Sequence, residues 1–179
     1  MLLKYVLAAL AVLCGAAYDL KYKRIPNKIT LPFMAIGLIL NLWLGGLDGL
    51  MDSIFAILVS FAGILLFMFG IMGAGDIKLF MAVGSLLGLR MGIATILLSF
   101  LVGGVVGVIV LLLRKNGKRR FMFLYRYICV TLGTRQVKPY EVIDKENDAY
   151  FSFGACIAAG CLIAMILNHL GVVENYFMF

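Results

Sequence analysis

Charge is what this 179-residue chain lacks. Only 14% of its residues are Asp, Glu, Lys or Arg, against 64% hydrophobic, and the mean hydropathy is +1.06. A soluble domain of this length needs far more polar surface, so the composition predicts an integral membrane protein. Cysteine is scarce as well. Cys14, Cys129, Cys156 and Cys161 form no Cys-x-x-Cys pair, which leaves a zinc centre or a disulfide framework unsupported and makes small buried hydrophobes of them. No metal or cofactor is expected. The single histidine, His169, stands near the outer end of the last apolar stretch, where it has no acidic partner to serve.

The charge-free stretches locate the membrane spans, each needing about 20 apolar residues. Met1–Tyr18 holds only Lys4, close enough to its end to snorkel, while Ile29–Leu47, Ser53–Gly75, Met91–Leu113 and Ala149–Val173 hold no charge. The first stretch could pass for a signal peptide, but Asp19 and the basic residues after it replace any small-residue cleavage site. It is expected to be a retained span. Gly45-Gly46-Leu47-Asp48-Gly49 predicts a tight outer turn between the second and third spans. Leu79–Leu89 is the doubtful segment, 11 apolar residues or about 16 Å of helix against roughly 30 Å of hydrocarbon. It must borrow Ile77, Lys78 and Arg90 as snorkelling ends, or the bilayer must thin around it.

Charge asymmetry decides whether that segment crosses. With six spans, all of the 16 basic residues except Lys4 and Arg90 fall on one face, as the positive-inside rule requires. If Leu79–Leu89 failed to cross, the basic stretch from Arg114 to Lys145 would lie outside. The expectation is therefore an all-α polytopic membrane protein of six transmembrane helices, with both termini on the non-cytoplasmic side. Residues 1–179 would form one membrane domain, with a basic cytoplasmic loop at about 114–148. Its aromatic stretch Phe121–Val130 suits an interfacial segment. The net charge of +7 is then a topology signal, and attraction to anionic lipid explains Lys118-Arg119-Arg120 without a nucleic-acid partner.

Against that background two acidic residues stand out. Asp19 lies in Tyr18-Asp19-Leu20-Lys21-Tyr22-Lys23-Arg24-Ile25-Pro26-Asn27, and Asp76 in Gly73-Ala74-Gly75-Asp76-Ile77-Lys78. A carboxylate at the centre of a membrane helix costs about 2.5–3.5 kcal/mol on insertion scales, so such residues mark sites. The hairpin formed by spans two and three leaves the basic face and returns to it, which puts Asp19 and Asp76 at the same depth on the cytoplasmic side. Two converging carboxyls cannot both ionise easily; one can act as general base on a water while the other donates to a scissile carbonyl. Gly73 and Gly75 suit a broken helix and close approach of an extended substrate. Asp48 and Asp52, on the outer turn, read as solvated or capping residues, and Lys78 and Arg24 as topology anchors.

Gly73-Ala74-Gly75-Asp76-Ile77-Lys78-Leu79 resembles the GxGD-[VI]-K-L signature of type IV prepilin peptidases, aspartic proteases of the inner membrane. Asp19 followed by Arg24-Ile25-Pro26-Asn27 resembles that family's other aspartate motif. Phe151-Ser152-Phe153-Gly154 and the residues after it look like its last-span PFGP-type motif without the prolines. The resemblance implies that Asp19 and Asp76 are the catalytic dyad. It also implies prepilin or pseudopilin substrates, cut on the cytoplasmic side after the Gly that ends a short basic leader. Larger members carry an N-methylation domain with a Cys-x-x-Cys zinc pair between the first spans; Leu20–Lys28 leaves no room for one. The chain is thus expected to be a peptidase without methyltransferase activity, similar to the short enzymes of Flp-type pili. An archaeal-type preflagellin peptidase would share both motifs. A small proton- or cation-coupled transporter could use the same carboxylates, but would be expected to show repeats and broken helices near the midplane.

Overall fold

The structure is a computed structural model and describes residues 2–69, 72–113 and 152–171. Two compact units divide the chain, 1–103 with 152–179, and 104–151. All regular structure among the described residues is helical: α1 Leu2–Tyr22, α2 Asn27–Phe61, α3 Ile64–Met68, α4 Ala74–Leu87, α5 Leu89–Leu113 and α6 Phe153–His169. From the second unit the described residues 104–113 belong to α5. The basic stretch at 114–148, with its aromatic segment and Cys129, lies outside the described residues.

Three helical stretches, Leu2–Tyr22, Asn27–Met68 and Leu89–Val110, are long and apolar enough to cross a membrane, and Phe153–His169 is a shorter apolar helix. Their faces are sorted by size rather than by polarity. On α1 the small residues Ala8, Ala11, Gly15 and Ala16 turn inward with Val12 and Asp19, while Leu10 and Leu13 are exposed. That is how helices pack in lipid, where close backbone approach matters more than hiding apolar bulk.

α2 is longer than any single span requires because it contains the glycine-rich turn at 45–49. Gly46 has φ 61° and ψ −145° and breaks the helix there; the left-handed φ is open to glycine at little steric cost. The chain reverses at this point, bringing Gly49 against the Asn41 carbonyl. Both arms then flank α4. Asn41 on the first arm and Ser53 on the second each donate to the Ser85 carbonyl, at 2.7 and 3.0 Å. The charge-free stretch that begins at Ser53 is not one continuous helix. α2 stops at Phe61, and α3 begins after the turn at Ala62 and Gly63.

The short fourth segment owes its length to its surroundings. α4 has 14 residues, about 21 Å of helix against roughly 30 Å of hydrocarbon. Ile77, Leu79, Phe80, Ala82, Val83, Gly84, Ser85 and Leu86 are all buried, so α4 is wrapped by α1, both arms of α2, and α6. A helix sheathed in protein has no lipid thickness to match at its own ends. Its C-terminal carbonyls are met by side chains: the Asn41 amide donates to Ser85 and Leu86 at 2.7 and 3.2 Å. Lys4, which the sequence suggested would snorkel, donates to the Asn41 Oδ1 at 2.5 Å. A cation and an amide therefore face the negative end of the α4 dipole. Replacement of Asn41 by Leu is expected to cost about 1–2 kcal/mol, because interhelical polar contacts in membranes are worth that much. The check is thermal unfolding in detergent, where Asn41→Leu should melt several degrees lower; an unchanged midpoint would show that this cap contributes nothing.

Candidate active site

The first aspartate sits at the end of α1, and the helix stops one turn beyond it. Lys23 adopts a left-handed φ of 55° while its N–H still reaches the Asp19 carbonyl at 2.9 Å. Such a cap ends a helix without leaving its last carbonyls orphaned. The stop therefore lies at Lys23. Pro26 serves the next helix instead, since in extended conformation it precedes the first residue of α2. Asp19 itself is only 4% exposed. Its Oδ2 accepts the Ser152 hydroxyl at 2.5 Å and the Gly154 N–H at 3.0 Å. Both donors belong to the start of α6, 133 and 135 positions away.

The start of α6 is held in place by an aromatic side chain. Phe153 packs edge-on to Phe80 of α4 at 6.3 Å and against Phe100 of α5 at 5.4 Å, with its ring over Gly103. Gly154 has to be small, since a Cβ there would lie 2.9 Å from both Cβ and Oδ2 of Asp19.

The second aspartate opens α4. Asp76 is 9% exposed, in the first turn, and its Oδ2 accepts the Gly73 N–H at 3.2 Å. This is the carboxylate half of a capping box, placed where the helix dipole favours negative charge. Gly73 has φ −77° and ψ 145°, angles that any residue can adopt, so the expected unusual backbone is not its role. Space is: a Cβ on Gly73 would lie 3.0 Å from the Asp76 carboxylate. Gly75 likewise admits a neighbour, and the neighbour belongs to the chain itself. A Cβ there would be 3.1 Å from the Ile25 Cβ and 3.3 Å from the Ile25 amide nitrogen.

That contact joins the two motifs. Ile25 rests on Gly75, and two residues further on the Asn27 Oδ1 accepts Lys78 Nζ at 2.8 Å. Gly15 against Leu79 brings α1 onto α4 one turn from each aspartate. Asp19, near the end of α1, and Asp76, in the first turn of α4, thus stand on segments that pack together. Two carboxyls brought to one reacting bond can divide acid–base work, one accepting a proton from a water while the other donates. Beside them Tyr18, Tyr22, Arg24, Ile25, Pro26 and Asn27 line an open depression of about 450 Å³.

Several partners in this site are not foreseeable from the sequence. Ser152 and Gly154 stand out there only by their place in a motif and by helix packing, and the bond to Asp19 is visible only with both ends folded. Lys78, expected as a topology anchor, also ties the motifs together through Asn27. Cys156 and Cys161 are buried as expected, but Cys14 is exposed. Asp52 has a capping role, its Oδ1 accepting the Leu89 N–H at 3.2 Å at the start of α5. Gly160 of α6 meets Ser99 of α5 at its backbone, which lets the two helices approach closely.

The sequence matches the profile of the type IV leader peptidase family over residues 6–108, more than half of the chain. It is 35% identical over 124 residues to the prepilin leader peptidase/N-methyltransferase of Aeromonas hydrophila, an alignment covering 65% of this chain and 41% of that protein. To the Bacillus subtilis (strain 168) protein of the same name it is 35% identical over 111 residues, covering 59% and 43%. The chain thus spans less than half the length of the curated relatives it matches. No solved structure shows a significant match.

Proposed function

Because the chain belongs to the type IV leader peptidase family, we propose that it is a multi-pass membrane aspartic endopeptidase that removes the short basic leader of prepilins. The observation that carries this reading is two buried carboxyls, Asp19 bonded to the start of α6 and Asp76 in the first turn of α4, on segments that touch through Ile25–Gly75 and Asn27–Lys78. In the proposed reaction the ionised aspartate takes a proton from water as its oxygen bonds to the scissile carbonyl carbon. The protonated partner donates to the carbonyl oxygen. Collapse of the tetrahedral species reforms the carbonyl and breaks the C–N bond: one hydroxyl proton returns to the partner aspartate, and the proton taken from water goes to the leaving amine. Such acid–base work is worth about 10²–10⁴-fold in rate. The substrate's leader and cut site would approach from the basic, cytoplasmic face, along the depression that begins at Tyr18.

The topology in this reading is six spans, with both termini and the Gly46 turn outside and the stretch at 114–148 inside. Labelling of single cysteines placed at Asp48 and at Asn116, in a background without the four native cysteines, should give opposite accessibility. Reaction of both from one side would break the six-span arrangement.

Methyl transfer lies outside this reading. The connector between α1 and α2 is too short to hold a second domain, and the sequence has no Cys-x-x-Cys pair. This chain is therefore expected to cut an Flp-type prepilin without methylating the new N-terminus. Incubation with the substrate and S-adenosylmethionine, read by mass spectrometry, should give a product lacking the added CH₂. A methylated product dependent on this chain alone would refute the claim.

A further inference from the structure

The use made of Ser152 is unusual for its position. It is the N-cap of α6, with φ −77° and ψ 100°, yet its hydroxyl does not cap its own helix. A serine there ordinarily turns back to the second or third N–H of the helix that follows. Here the hydroxyl is directed across the bundle to the Asp19 Oδ2 at 2.5 Å, within the range of a charge-assisted O–H···O⁻ bond. The Gly154 N–H, one of those a cap would otherwise leave unsatisfied, donates to the same oxygen at 3.0 Å. Asp19 thus stands in for the cap of α6.

Among the described residues Asp76 receives one side-chain hydrogen bond, from the Gly73 N–H at 3.2 Å. Two donors converging on one oxygen hold the Asp19 carboxyl in a single orientation. From these contacts we infer that Ser152, with the Gly154 amide, is a positioning residue that fixes the orientation of the Asp19 carboxyl in the reacting pair. Ser152 touches neither water nor substrate in this scheme; it acts through Asp19. The rigid seat of Phe153 between Phe80 and Phe100 transmits the position of α6 to that oxygen.

The inference rests on the reading of Asp19 and Asp76 as the reacting pair, and the experiment separates the two. Ser152→Ala and Ser152→Thr are purified in liposomes with wild type and Asp19→Asn, and kcat and KM are measured on a prepilin whose basic leader ends in Gly. Loss of one hydrogen bond to a charged group should lower kcat of Ser152→Ala about tenfold, with KM unchanged. Ser152→Thr, which keeps the hydroxyl, should retain kcat. Ser152→Ala also loses a link between α1 and α6, so kcat is compared well below the thermal midpoint of each variant. Wild-type kcat in Ser152→Ala, or an equal loss in Ser152→Thr, would each overturn the positioning role while Asp19→Asn stays inactive. If Asp19→Asn instead cuts at the wild-type rate, the reading of the reacting pair is what fails.

Discussion

Asp19→Asn and Asp76→Asn should each lose prepilin cleavage by about 10²–10⁴-fold, the size of a general acid or base contribution, while still inserting into the membrane. Asparagine keeps the shape of the side chain. At position 19 it can still accept the Ser152 hydroxyl and the Gly154 N–H through its oxygen, and at position 76 the Gly73 N–H. What it cannot do is gain and release a proton. The comparison residues are Asp48 and Asp52 at the other end of the bundle. Asp48→Asn should leave the rate unchanged, and Asp52→Asn should too, because an amide oxygen can replace the carboxylate that accepts the Leu89 N–H. Full processing by either Asp19→Asn or Asp76→Asn would remove the basis for a two-carboxyl mechanism.

Gly75→Val should be almost as damaging, for a reason that involves no chemistry of its own. The Ile25 backbone and side chain approach Gly75 so closely that a Cβ would lie 3.1 Å from the Ile25 Cβ. Alanine asks the neighbour to give by a few tenths of an ångström. Valine adds two methyl groups in the same gap and must push the Arg24–Asn27 connector away from α4. Because α1 and Asp19 hang on that connector, the two carboxyls would separate, and displacements of about 1 Å cost on the order of 10²-fold. The measurement is cleavage rate at matched membrane protein levels. A large loss in Gly75→Val with a small one in Gly75→Ala is the expected order; wild-type activity in Gly75→Val would show that the joint between the motifs is dispensable.

These expectations depend on contacts of different legibility. Asp19 and Asp76 stand out in the sequence because a carboxylate in so apolar a chain is costly, and a hairpin between them places both at one end. The reversal at Gly46 is legible for a similarly local reason, a run of glycines beside Asp48. The length of α4 misleads, because a span is expected to face lipid, whereas α4 is sheathed by α1, α2 and α6. Lys4 belongs by its position to the membrane surface, although it donates to Asn41, 37 positions away. The Ser152 and Gly154 bonds to Asp19, and the Lys78 bond to Asn27, link residues 51 to 135 positions apart. No periodicity or propensity carries such pairings, since each is chosen by how helices dock. Spacing locates the acidic residues; only the packed bundle shows what holds them.

Co-expression with a prepilin, read as the gel shift that accompanies leader removal, tests the central claim most directly. Wild-type protein is predicted to convert the precursor to a shorter product whose new N-terminus follows the Gly of the leader. The Asp19→Asn, Asp76→Asn double variant, present at the same level in the membrane, is predicted to leave it uncut. Precursor left intact by the wild type, or processed equally by the double variant, would contradict the account.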